Sequence, residues 1–289
     1  MSKRSSSTAS LSRKTEAAAR PAGRSVPTGA IVTLLSDFGE RDGFVGIVKG
    51  IVLGICPGAT IVDLSHDVPP QDVTSGALIL ASAVGYFPDG TVHLAVVDPG
   101  VGTARRPIVV ETERFVLIGP DNGLLSVAAD AAPVRRVVHL DRPEYFSPSP
   151  SHTFHARDVF APVAGHCASG VECASLGSAL DGFARLALPE VRRLDDALEG
   201  QVIHIDRFGN LMCNIRREEL ASFRESELSI SIGGVQIAGI SPHYSAVREG
   251  KPVALWNSWG RLEIAIRNGS ALRHLRTRNG DRVQVKFRR

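Results

Sequence analysis

The chain has 289 residues, 43% of them hydrophobic, which is enough apolar material for at least one large core and room for two. Its net charge of +3 misleads: Lys3, Arg4, Arg13, Lys14, Arg20 and Arg24 against Glu16 place +5 on residues 1–28 and leave the rest at −2. A body of that charge lacks the broad basic face of a nucleic-acid binder, and no apolar run approaches the ~20 residues of a membrane span, so neither a polynucleotide nor a membrane is an expected partner.

Residues 1–28 are rich in Ser, Ala and Arg and have no apolar segment after their basic start, unlike a secretory signal. They read as a disordered basic tail, with a transit peptide as the alternative. From residue 30 the chain alternates strand-like and helix-length stretches: AIVTLLSDFG, DGFVGIVKGIVLGIC, ATIVDLSHDV, DVTSGALILASAVGYF and TVHLAVVDPG. That alternation predicts βαβ units and a largely parallel sheet. Within it, GALILASAVGYF, residues 76–87, reads as a buried helix. IVVETERFVLIGPDNG adds two more strands that could pair as a hairpin, ahead of LLSVAAD. Pro and Ser collect over residues 140–153, a long loop, and FHARDVFAPVAGHCASG resumes helical spacing.

Between Leu188 and Gly200 the texture changes. GQVIHIDRFGNLMCNI, ELSISIGGVQIAG, PVALWNSWGRLEIAI and DRVQVKFRR alternate or are β-rich, which predicts a small barrel or sandwich. The expected fold is α/β: a mostly parallel sheet flanked by helices over residues 29–192, then a smaller β-barrel-like domain over residues 193–289. Cys56, Cys167, Cys173 and Cys213 form no C-x-x-C pair, and the histidines form no zinc pattern. They predict buried thiols in a cytoplasmic chain, with no metal.

Ligands of open α/β sheets bind beyond the carboxyl ends of the strands. Three acidic turns fall there: Ser36-Asp37-Phe38-Gly39, Ser65-His66-Asp67 and Asp98-Pro99-Gly100. Each also has a plain reading as a strand-end turn in which Asp bonds local amides. The glycines after Asp98 are no phosphate loop, because G-x-x-x-x-G-K-[ST] is absent. Asp121-Asn122-Gly123 is a typical turn, Arg157 and Asp158 could simply pair, and His155 alone could be a capping or core histidine. Asp206-Arg207-Phe208-Gly209-Asn210 and Asn257-Ser258-Trp259-Gly260 put polar groups into strand patterns, which a plain barrel does not require.

Seven segments together, LLSDFGERDGFVGIVKG, VDLSHDVPPQDV, AVVDPGVGTARR, IGPDNGLL, TFHARDVFAP, IDRFGNL and NSWGRLEIA, resemble in order the S-adenosylmethionine hydrolases that release adenosine, also called S-adenosylmethionine hydroxide adenosyltransferases. The resemblance runs from about residue 30 to the end. It implies hydrolysis of S-adenosyl-L-methionine to adenosine and L-methionine by a water attacking C5′, without metal or cofactor. The implied catalytic residues are Asp98, Arg105 and His155. Asp37 is implied for the ribose hydroxyls, Asp42 and Asp206 for the methionine amino group. Phe208, Asn210, Ser258, Glu263 and Asn268 are implied for the adenine and amino-acid lining. A homotrimer with the site between subunits is implied as well.

Fluorinating and chlorinating enzymes of the same superfamily are the nearest rival, and a non-catalytic S-adenosylmethionine or adenosine binder is the other. Against the rival, this chain has Asp98 and Val101 where the fluorinating branch carries Tyr and Thr. It has His155 and Ala156 where that branch has Tyr and Ser, and Gln71 where it has Trp. Ala156 also departs from the Gly usual in the hydrolases; its methyl narrows the pocket without removing a functional group.

Overall fold

Near-continuous apolar runs such as VHLAV belong in strands covered on both faces, and that is where they lie in the computed structural model, which describes residues 29–287. The tail reading for residues 1–28 falls outside the described residues. The first unit comprises β1 (Ile31–Ser36), α1 (Phe44–Ile55), β2 (Thr60–Ser65), α2 (Val73–Val84), β3 (Val92–Val96), β4 (Pro107–Thr112), β5 (Val116–Pro120), α3 (Ser126–Ala129), β6 (Val134–Leu140), α4 (Ala161–Ala168) and β7 (Gly177–Leu180). Its sheet runs β2-β1-β3-β5-β4-β6-β7. The first four neighbours are parallel, and the β4–β5 hairpin then turns the sheet antiparallel through β6 and β7.

Period-two alternation splits the core into two layers. Val32, Leu34, Val92, Leu94 and Val96 face α1 and α4, whereas Leu35, Ala95, Val97 and Leu117 face α2 and α3. The helix expected over residues 76–87 begins and ends earlier, at Val73–Val84, and is buried as expected: Ala77, Leu80 and Val84 enter the sheet core, Leu78 packs on the second unit, and none of its residues is exposed. Asp72 caps its start by accepting from Ser75 N–H at 2.9 Å. Gly85, a poor helix former, and Pro88 behind it close the end and leave Tyr86 81% exposed.

The second unit contains β8 (Arg192–Arg193), β9 (Ala197–Ile205), β10 (Leu211–Arg216), β11 (Leu228–Ile232), β12 (Val235–Ala238), β13 (Pro252–Trp256), β14 (Arg261–Ile266), α5 (Ala271–Leu275) and β15 (Arg282–Phe287). Its antiparallel strands run β12-β11-β15-β9-β10-β14-β13, with β8 on β9. The two ends curl together where Ser241 N–H donates to Ala254 O at 2.7 Å, so the sheet is nearly a closed barrel. Alternate residues such as Leu228, Ile230 and Ile232 fill its interior. Leu78 of α2 packs on Leu188, Ile203 and Met212, joining the units.

His93 in β3 is fully buried between Phe87 and Phe115, with Nδ1 2.8 Å from Thr33 Oγ1 and Nε2 unpartnered. Burial pulls its pKa from 6.5 to about 4. The neutral form is thus favoured, so the contribution to stability is intact above the unfolded value and is lost as pH falls from 6.5 toward 4, about 3 kcal/mol in all. The pair Thr33→Val with His93→Phe should flatten the fall of unfolding free energy over that window, measured by urea denaturation. An unchanged slope would assign the acid sensitivity elsewhere.

Candidate active site

Because β1, β2, β3 and β5 are parallel, the turns after them share one edge of the sheet. Asp37 follows β1, His66 follows β2, Asp98 follows β3 and Asp121 follows β5. Asp98 and Arg105 sit on the loop between β3 and β4 and form a pair whose side chains are 6% and 9% exposed. Arg105 Nε donates to the two Asp98 oxygens at 2.9 and 3.0 Å, and Nη2 donates to Oδ2 as well. The same Nη2 lies 3.0 Å from His155 Nδ1. A guanidinium can only donate, so Nδ1 is the acceptor and the ring proton sits on Nε2. Phe160 stacks beneath the guanidinium, 5.2 Å from ring centroid to Cζ.

His155 arrives from the far side of the fold, ahead of a π-helical turn over Ala156–Phe160, a rare widening that often occurs at functional sites. Pro162 has no N–H to offer the Asp158 carbonyl four residues back, and Ser147 N–H fills it at 2.9 Å. The buried Asp158 carboxylate accepts from Arg157 at 2.7 and 2.8 Å and from Ser151 N–H at 2.8 Å. Arg157 holds its pKa below the ordinary carboxylate value. This ties down the 147–155 loop. Gly102, at φ +76, lets the Asp98 turn approach that loop: a Cβ there would lie 2.5 Å from His152 O. Burial first, and the Arg105 charge second, push the His155 pKa below 6.5, so its imidazole is neutral at neutral pH.

Asp37, Asp98 and His155 line one cleft of about 270 Å³, with Phe38, Gln71, Val101, Thr153, Phe154 and Ala156 around them. A second cleft of about 410 Å³ lies in the barrel unit and holds Asp206, Asn210, Ser258 and Glu263. The two clefts share no lining residue. In the second, Asp206 holds the β9–β10 turn by accepting from the N–H of Phe208 and Asn210 at 2.9 and 2.8 Å and from Asn210 Nδ2 at 2.9 Å. Burial raises the Glu263 pKa, and Tyr244 O–H donates to it at 2.6 Å.

Phe208 is 76% exposed at the tip of its turn. Asp42 and Asn268 are also exposed, and none of these three lines either cleft. Sequence reasoning passed over Phe154 and Thr153 in the first cleft and His204, Tyr244 and Trp256 in the second. Of these, Phe154 was signalled by its place beside His155. Tyr244 had no signal, since its segment carries no recognisable pattern.

A buried carboxylate and a neutral imidazole held by one guanidinium are suited to moving a proton at a bound small molecule, and the fold puts them where α/β proteins bind ligands. Fold and site together define a two-domain α/β enzyme. The chain belongs to the SAM hydroxide adenosyltransferase family: the model of that family's N-terminal domain matches residues 32–177 and that of its C-terminal domain residues 200–284.

Among its relatives, the (R)-S-adenosyl-L-methionine hydrolase of Thermus thermophilus is 40% identical over 263 residues, 88% of this chain and 98% of that protein. The hydrolase of the same name from Salinispora tropica is 38% identical, covering 88% of this chain and 97% of its own length. A fluorinase of Actinoplanes is more distant, at 30% identity over 84% of this chain and 92% of that one. The crystal structure of a conserved protein of Thermotoga maritima superposes with a TM-score of 0.82 at 32% identity, covering 88% of this chain and 99% of that one.

Proposed function

We propose that the protein hydrolyses S-adenosyl-L-methionine to adenosine and L-methionine, with Asp98, Arg105 and His155 as the catalytic residues. One observation carries the assignment of roles: Arg105 donates to both Asp98 and His155 beside the cleft that also contains Asp37. Water is the poor reactant, since the leaving group departs as a neutral thioether. Asp98 orients the water and takes one of its protons as the water oxygen bonds to C5′ and the C5′–S bond breaks, the electron pair staying on sulfur. One positive charge on sulfonium and one negative charge on Asp98 disappear together, an annihilation that a low local dielectric favours. A fixed in-line pose contributes too, on the order of 7–11 kcal/mol in well-oriented systems.

The step calls for neither metal nor cofactor, and turnover should survive a chelator. Asp37 receives the ribose hydroxyls. Asp42, just before α1 in the same unit as Asp37, faces the methionine amino group from this chain, while Asp206, Asn210, Ser258 and Glu263, with Phe208 and Asn268 at the rim, are supplied by a neighbouring subunit of a homotrimer and receive the rest of the substrate. Two clefts with no residue in common support a site completed between chains, as does the exposure of Phe208. A cytoplasmic location belongs to the same reading, in keeping with four free cysteines among the described residues. The structure has no helix long and apolar enough to cross a membrane among those residues.

The test is chromatography of protein incubated with each sulfur epimer of S-adenosylmethionine, in halide-free and chloride buffers, with labelled water. Equal adenosine and methionine, solvent oxygen on C5′ and no halide dependence are expected, with the (R) epimer preferred as in the names of the relatives. A 5′-halo product, or saturable binding without product, would overturn the assignment. Light scattering should find a trimer, and a fully active monomer would remove the shared site. Because the His155 pKa is depressed, the acid limb of kcat should lie below pH 6.5. A limb at or above that value would mean that His155 titrates unperturbed or takes no part.

A further inference from the structure

Asp37 follows β1 in the turn Ser36–Gly39, and the loop after β2 holds that turn at three points. His66 Nδ1 lies 2.7 Å from Ser36 Oγ in a buried contact, the His66 carbonyl accepts from Gly39 N–H at 2.8 Å, and Gln71 N–H donates to Asp37 Oδ2 at 2.8 Å. A single residue, His66, therefore grips the turn on both sides of Asp37, by its ring at one end and its backbone at the other. The ring is itself anchored. Nε2 lies 3.1 Å from Asp63 Oδ1, within ion-pair reach although out of line for a hydrogen bond, and the other Asp63 oxygen takes Lys49 Nζ at 2.5 Å.

The Asp63 carboxylate beside Nε2 favours the ring proton there, which leaves Nδ1 as the acceptor. Ser36 accordingly donates to His66 while its oxygen accepts from Phe38 N–H at 3.4 Å. Ser36 and His66 are both buried, so water does not compete for the contact. Gln71 reaches Asp37 from φ +66, a left-handed conformation rarely tolerated by a residue with a side chain. Asp72 N–H donating to Pro69 O and Val73 N–H donating to Gln71 O, each at 3.0 Å, close the turn around it.

We propose that His66 is a positioning residue for the ribose subsite: through Ser36 and Gly39 it fixes the turn that holds the Asp37 carboxylate at the cleft. The inference rests on the reading of Asp37 as the receptor of the ribose hydroxyls. Calorimetry on the full chain with adenosine and with 2′,3′-dideoxyadenosine tests both, because the second ligand keeps the base and lacks the hydroxyls.

Wild type should prefer adenosine. Ser36→Ala and His66→Leu should each weaken adenosine at least about tenfold, the worth of a hydrogen bond to a charged group, and leave dideoxyadenosine as in wild type. His66→Asn, whose amide can reach Ser36 as Nδ1 does, should restore most of the preference. Ser36→Ala removes a single oxygen and keeps the test open if His66→Leu does not fold. Variants that weaken both ligands alike, or that keep the full preference for adenosine, overturn the positioning role. A wild type that binds both ligands equally overturns the ribose reading of Asp37, and the inference with it.

Discussion

Asp98→Asn should lower turnover by about 10²–10⁴-fold, the usual worth of a positioned general base, while adenosine still binds. Asparagine keeps the shape and one acceptor oxygen but cannot take a proton from water at neutral pH. It also leaves Arg105 without its counter-charge in a site where both side chains are nearly buried. Breaking such a pair costs on the order of 3–5 kcal/mol, so the melting temperature should drop as well. Adenosine calorimetry separates the two effects, since a collapsed site loses the ligand and a chemically silenced one keeps it. Turnover within about tenfold of wild type, less than the range expected for a general base, would remove Asp98 from proton transfer.

Gly102→Ala is the second large effect, and it acts through geometry alone. The added Cβ meets the His152 carbonyl at 2.5 Å, a backbone atom that cannot swing away, in a residue already at φ +76. Relief requires the Asp98 turn and the His155 loop to separate. A displacement near 1 Å at a reacting centre can cost about 10²-fold, so kcat should fall by that order. Gly90→Ala is the control: its φ is +84, yet a Cβ there has nothing within 4 Å. It carries the backbone strain without the clash. If both variants keep wild-type kcat, the approach of Gly102 to His152 does not set the distance between Asp98 and His155.

The order of elements was legible because each depends on local pattern. A short apolar run such as VHLAVV, closed by Asp-Pro-Gly, reads as a buried strand, and the change to alternation near residue 190 foretells a different sheet. The acidic turns were legible as strand ends, since Asp37 and Asp98 directly follow apolar runs. Assigning roles to Asp98, Arg105 and His155 needed the resemblance to a family, because a turn-forming Asp, a surface Arg and a capping His have the same letters.

Other features were beyond the reach of pattern. That α2 stops at Val84 depends on Gly85, but whether Tyr86 is covered depends on what lies beside it. Nothing in TFHARD announces a π-helical turn, which forms where Asp158 is buried against Arg157 and the 147–151 backbone.

The sequence by itself determined the two kinds of sheet, the parallel edge carrying the carboxylates, and the family. Those follow from hydrophobic period and from ordered motifs, which one-dimensional spacing records. Only the tertiary structure decided that Arg105 joins Asp98 to His155, fifty residues away. It also decided that Gly102 must be bare to admit His152, and that His66 holds the Asp37 turn from the next strand. The reason is physical: hydrogen bonds and close contacts between distant segments depend on where packing leaves the backbone, and no local propensity encodes that distance.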